Sequence, residues 1–184
     1  MILFKLILFS AVTVDVNEGE FETVQETDDM LYPNIDSCLT VTYAYDTGIR
    51  SGGHAILFPR LDQLPLELMV ENLSGMNTSK IFYLLGCIKV WNQNYFIGGR
   101  NFRINGTVVH LPTVESIVPA LGYNASSNAV LYDTCDRIEN PVDILFKVNP
   151  NLLLITDRKT GDIKYNKPWP AYNPPFLSNP KTFL

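Results

Sequence analysis

The stretch SCLTVTYAYDTGIRSGGHAILFP, residues 37–59, decides how the chain is read. From Cys38 to Tyr45, Leu39, Val41, Tyr43 and Tyr45 alternate with Thr40, Thr42 and Ala44, the period-2 pattern of a strand with two distinct faces. Asp46-Thr47-Gly48 begins a turn, Ser51-Gly52-Gly53 ends it, and His54 to Phe58 returns as the second strand of a hairpin. On this reading Cys38 opens one strand and His54 opens the other near the turn. A simple hairpin then leaves the two at opposite ends, and periodicity alone does not bring them together.

Outward from this hairpin, residues 1–16 read as one or two strands followed by the turn Asn17-Glu18-Gly19. Residues 20–36 are acidic and polar, and Tyr32-Pro33-Asn34 marks a loop. Pro65 starts a helix with Leu66, Met69 and Leu73 on one face, stopped by Gly75. Residues 81–91 read as a buried strand, and Thr113 caps a short helix carrying Val114, Ile117, Val118 and Leu121. Strands follow at 129–132, 142–148 and 152–156, and a last hairpin turns at Lys159-Thr160-Gly161 to return through Ile163 and Tyr165. The expected fold is α+β, a sandwich of mostly antiparallel sheets packed with two or three helices. One domain spans residues 1–166. The segment 167–184, with five prolines, forms neither a helix nor a central strand, and its Trp169, Tyr172 and Phe176 are expected to cover a sheet face.

Composition bounds the function. The 184 residues fit one domain with its own core, and 46% apolar against 18% charged residues is a globular balance. A net charge of −5 argues against a nucleic-acid partner or a polybasic membrane-surface protein. No apolar run is long enough for a transmembrane segment. The run MILFKLILFSAVT resembles a short secretion signal, but Lys5 lies inside it and β-type alternation continues to Val16. The three cysteines, Cys38, Cys87 and Cys135, cannot all pair within the chain, match no zinc spacing and suit a reducing compartment. Two histidines, His54 and His110, exclude a multi-histidine metal centre. No cofactor motif is present: Gly98-Gly99-Arg100 and Ser51-Gly52-Gly53 lack the strand–turn–helix setting of a phosphate loop.

A cysteine nucleophile needs a base to take its proton and return it to the leaving group. Cys38 with His54 is one candidate pair. Cys87 with His110 is another, with Gly86 allowing a backbone N–H to approach an oxyanion, although Cys87 lies in an apolar run and also reads as packing. Cys135 reads as a bystander without a base.

The order Ser37-Cys38-Leu39-Thr40-Val41, Tyr45-Asp46, Gly52-Gly53-His54 and Leu57-Phe58-Pro59 resembles the catalytic segment of CheD, the family of chemoreceptor glutamine deamidases. Val16 with Glu18-Gly19-Glu20 is similar to the opening strand and turn of that family. Residues 64–75 fall where it has a helix, and Lys80-Ile81-Phe82 resembles its next strand. Ile97-Gly98 with Arg100-Asn101 resembles its Ile-Gly-x-Arg-Asn signature, and Thr160-Gly161 its closing hairpin, so the likeness runs over about residues 12–165. Four features depart from the family. Asp36 replaces a Gly, Tyr32 stands where the catalytic Thr lies, the Cys-to-His spacing is one residue shorter, and a late Gly-Gly pair is absent near Asp133.

The resemblance implies a cytoplasmic, cysteine-dependent protein-glutamine deamidase linked to chemotaxis, without metal or other cofactor. Cys38 is its nucleophile and His54 its base, with Tyr32, Asp36 and Ser37 as the orienting or oxyanion-binding positions. Its partner is a protein bearing an exposed glutamine. The altered Thr and Gly positions leave open a CheD-like scaffold without catalysis that binds a regulatory partner. A secreted deamidase toxin, similar in layout to the cytotoxic necrotizing factors, is a further alternative.

Overall fold

The computed structural model describes residues 11–76, 81–136 and 138–169. Residues 1–10 and most of the proline-rich segment, with Tyr172 and Phe176, lie outside them. Strands dominate. In chain order they are β1 (Thr13–Asp15), β2 (Phe21–Val24), β3 (Asp29–Ile35), β4 (Leu39–Ala44), β5 (Arg50–Ala55) and β6 (Ile81–Gly86). After these come β7 (Arg100–Ile104), β8 (Thr107–Leu111), β9 (Ala129–Asp133), β10 (Val142–Lys147), β11 (Leu152–Asp157) and β12 (Ile163–Pro168). The helices are α1 (Leu66–Ser74), α2 (Ile88–Asn94) and α3 (Ile117–Ala120), the last entered through a 3-10 turn at Val114–Ser116.

The described residues form two five-stranded mixed sheets, ordered β1-β3-β10-β11-β12 and β2-β5-β4-β6-β9, and the separate hairpin β7-β8. Each five-stranded sheet has one parallel pair, β1 with β3 and β6 with β9. This is the mixed α+β architecture expected from the alternation of strands and short helices.

The second sheet is buried on both faces, and period-2 alternation sorts its side chains between two cores. Leu39, Val41, Tyr43, Phe82 and Leu84 pack with Leu66, Met69, Leu73 and Trp91 of the helices. Tyr83, Leu85 and Cys38 face the first sheet and meet Tyr32, Ile144, Phe146 and Ile155. The layers are therefore sheet, sheet, then helices with the β7-β8 hairpin.

Several expectations need correction. Gly52 and Gly53 lie inside β5 and do not end the turn, which occupies Tyr45 to Ile49. Both faces need glycine there, because an added Cβ would collide with the Tyr32 hydroxyl and Val41 carbonyl at Gly52, and with Met69 at Gly53. Tyr32-Pro33-Asn34 is strand rather than loop. Tyr32 pairs with Ile144 and Ile35 with Val142, so Pro33 and Asn34 face Asp143 alone as a bulge, where a proline is tolerated. The run 81–91 is two elements, because the chain leaves β6 at Gly86 and enters α2. Strands β2, β7 and β8 have no counterpart in the sequence reading. Strand β12 continues past residue 166 to Pro168, at the sheet edge, and Trp169 beyond it is 2% exposed.

No helix of the described residues is long and apolar enough to cross a membrane.

Candidate functional site

The register of the β4-β5 hairpin brings the Cys38 and His54 positions together. Leu39 pairs with Ala55 and Thr40 with His54, so His54 stands near the end of β5, beside the start of β4. Side chains of Cys38 and Thr40 share a face, and His54, opposite Thr40, shares it too. The expectation of opposite ends fails because it took the glycine pair for the turn.

A third residue joins them. The Cys38 Sγ, a ring nitrogen of His54 and a carboxylate oxygen of Glu18 all lie within 4.8 Å of one another. Glu18 sits on the turn after β1, and backbone hydrogen bonds lock that turn to His54. The Gly19 N–H donates to the His54 carbonyl at 2.7 Å, and the His54 N–H donates to the Glu20 carbonyl at 3.0 Å. Glu20 also braces the turn, its carboxylate accepting from the Asn17 backbone at 2.8 Å. Sequence reasoning passed over Glu18 as a site residue. The acidic turn was visible, but its partner is 36 positions away along the chain, and only the pairing of that turn with β5 connects them.

His54 is fully buried, and its Nδ1 lies 3.0 Å from the Val16 carbonyl oxygen. A carbonyl can only accept, so Nδ1 carries the proton and the lone pair is on Nε2. That Nε2 has no hydrogen-bond partner among the described residues. The residue that orients the imidazole is therefore Val16, through its backbone. Tyr32 touches the His54 ring edge-on, with centroids 6.2 Å apart, while its hydroxyl is paired with Thr42 Oγ1 at 2.6 Å.

Burial holds His54 below its ordinary value, and the Val16 hydrogen bond and the charges of Glu18 and Glu20 only partly oppose this. Cys38 is 4% exposed. Burial first, then the adjacent Glu18, push its thiol up to about 12, against a backbone hydrogen bond at Asp36 that lowers it. The resting centre is thus a neutral thiol beside a neutral imidazole, with the Glu18 oxygen 3.8 Å from Sγ.

The segment before β4 is tied to α2 and β6 by its carbonyls. The Ser37 carbonyl accepts from the Trp91 indole at 2.9 Å, and the Cys38 carbonyl accepts from the Cys87 N–H at 2.9 Å. The Asp36 carbonyl lies against a disulfide between Cys87 and Cys135, 3.1 Å from the Cys135 sulfur. In a trans peptide the N–H points opposite to the carbonyl, so the N–H groups of Ser37 and Cys38 face away from this anchorage. The side chains of Asp36 and Ser37 are exposed.

The disulfide removes the Cys87–His110 alternative. Cys87 has no thiol, and His110 stands exposed on β8 with Nδ1 at 3.0 Å from Asn101 Oδ1. Cys135 is no bystander, since it closes a loop with a sequence separation of 48. Their apolar and strand-end settings gave no sign that two cysteines so far apart in sequence would have Cα atoms 4.9 Å apart. No model of a known protein family matches the chain, and no curated protein matches it.

Proposed function

We propose that Cys38 and His54 form a thiol–imidazole hydrolase centre acting on a carboxamide, with a glutamine exposed on a protein as substrate. The observation that carries this is His54, oriented by Val16, with a ring nitrogen clustered with the Cys38 thiol and its Nε2 buried without a hydrogen-bond partner among the described residues. As Sγ bonds to the amide carbon, the thiol proton passes to Nε2, and the carbonyl oxygen gains charge beside the Ser37 and Cys38 N–H groups. His54 then gives its proton to the nitrogen, the C–N bond breaks and ammonia leaves a thioester. Water attacks the thioester, His54 takes the water's proton, and the carboxylic acid is released as Cys38 regains a proton. Glu18 suits a primary amide, because its carboxylate can accept from the NH2 group while the backbone N–H groups donate to the carbonyl.

Incubating the full chain with glutamine-bearing helical peptides should release ammonia and convert amide to acid, and Cys38→Ser should stop both. Activity that survives Cys38→Ser, or no ammonia from a broad panel of such peptides, would end this reading.

The raised thiol and near-complete burial of Cys38 favour a second reading, in which the same fold binds a regulatory protein partner without turnover. The sequence alone favours a cytoplasmic setting. The Cys87–Cys135 disulfide supports an oxidising compartment instead, and with it the secreted alternative.

A further inference from the structure

We infer that Glu18, Cys38 and His54 form a binding site for a single Zn2+ ion. The inference goes beyond the hydrolase reading and does not depend on it. The three side chains offer one sulfur, one nitrogen and one oxygen, a set that zinc accepts together and that hard cations such as Mg2+ and Ca2+ do not.

Distances agree. For Zn–S of about 2.3 Å and Zn–O of about 2.1 Å in a tetrahedron, sulfur and oxygen ligands sit about 3.6 Å apart. The Cys38 Sγ and Glu18 Oε1 are 3.8 Å apart, and all three donor atoms fall within 4.8 Å. Cys38, just before β4, and His54 on the adjacent β5 are buried, whereas Glu18 is exposed on its turn and can close the remaining gap.

An independent observation points to a ligand. His54 Nε2 is a buried acceptor without a partner among the described residues, a costly arrangement for a polar atom. Its other ring nitrogen donates to the Val16 carbonyl, the outer-shell contact that metal-bound histidines usually make. The crowding of a carboxylate against a thiol also changes sign with a cation present. A dication attracts both groups, and the thiol proton goes to solvent as Sγ binds it. Three protein ligands leave the fourth tetrahedral position for water, the layout of an open rather than a closed zinc site. Where the hydrolase reading also holds, zinc occupies the nucleophile and inhibits it.

The test uses the full chain, stripped with chelator and titrated with Co2+ as a spectroscopic stand-in for zinc. One cobalt per chain should produce a thiolate-to-cobalt charge-transfer band that stoichiometric Zn2+ bleaches. Glu18→Gln, at an exposed position, should keep the fold and weaken binding about tenfold or more, with Glu22→Gln as the unchanged control. Cys38→Ser should lose the band. Absence of the band, its survival in Cys38→Ser, or equal affinity in Glu18→Gln and the natural chain would each overturn the site. Should Cys38→Ser fail to fold, the Glu18→Gln titration still decides. Glutamine hydrolysis without cobalt binding would remove the zinc site and spare the hydrolase, and cobalt binding without hydrolysis would do the reverse.

Discussion

Glu18→Gln also isolates what keeps Cys38 protonated. In the natural chain the thiol is pushed up to about 12, burial being the larger cause and Glu18 the next. At pH 8 such a thiol is ionised in about one molecule in ten thousand, whereas an exposed cysteine with a pKa near 8.5 is ionised in about one in four. Because the thiolate is the alkylated species, Cys38 should react with iodoacetamide about two thousand-fold more slowly than a free thiol. The carboxylate oxygen is 3.8 Å from Sγ but exposed, so water screens it, and removing its charge should lower the thiol by about one pKa unit. The alkylation rate at pH 8 should then rise about tenfold. The assay is clean, because Cys38 is the free cysteine and the other two are joined. Mass spectrometry of unreduced protein follows the adduct across pH 6–10, with metal chelated. An apparent pKa at or below about 8.5 in the natural chain would refute the neutral-thiol account and point to a preformed thiolate–imidazolium pair. An unchanged rate in Glu18→Gln would show that burial alone sets the thiol.

Three further outcomes follow from the same contacts. Burial depresses His54 below 6.5, so the unfolded chain binds more protons just below that pH and stability rises as pH increases through the window. His54 should therefore contribute a loss of stability on acidification below about 6.5, and His54→Gln should flatten that part of a Tm-against-pH curve; an unchanged slope would contradict it. Reducing the Cys87–Cys135 bond, which closes a loop with a sequence separation of 48, should cost about 4 kcal/mol in denaturant unfolding; a loss below about 1 kcal/mol would contradict this. Trp169→Ala should cost about 3–5 kcal/mol. The indole donates to the Lys147 carbonyl at 2.7 Å and lies 4.8 Å from the buried Arg50 guanidinium, so a near-neutral result would mean that Trp169 does not close the core.

How much of this was legible beforehand differs between elements. The alternation from Leu39 to Ala44, the helix from Leu66 to Ser74 and the strand pair Val142–Lys147 with Leu152–Asp157 follow from local periodicity and turn residues. Those signals act over a few neighbours, so they survive any tertiary arrangement. Strands β2 and β3 were hidden, since acidic and proline residues near a bulge look like loop until a partner strand supplies the hydrogen bonds. Gly52-Gly53 misled for the same reason: the need for glycine comes from Tyr32 and Met69 above and below the sheet, not from a local turn.

The candidate site divides in the same way. Residue identity offered Cys38 with His54 and Cys87 with His110 as candidate pairs, the resemblance favoured the first, and neither reading showed whether the two side chains meet. Their approach depends on a register in which Thr40 faces His54, and a slip by one residue would move His54 to the other face. Glu18 and the Val16 carbonyl enter through the backbone of a turn docked on β5, and the disulfide through the ends of β6 and β9 converging behind Asp36. Pattern and composition determined the fold class, because strand and helix periods are local. The tertiary structure alone decided which groups surround the Cys38 thiol, since contacts between residues tens of positions apart leave no period in the chain.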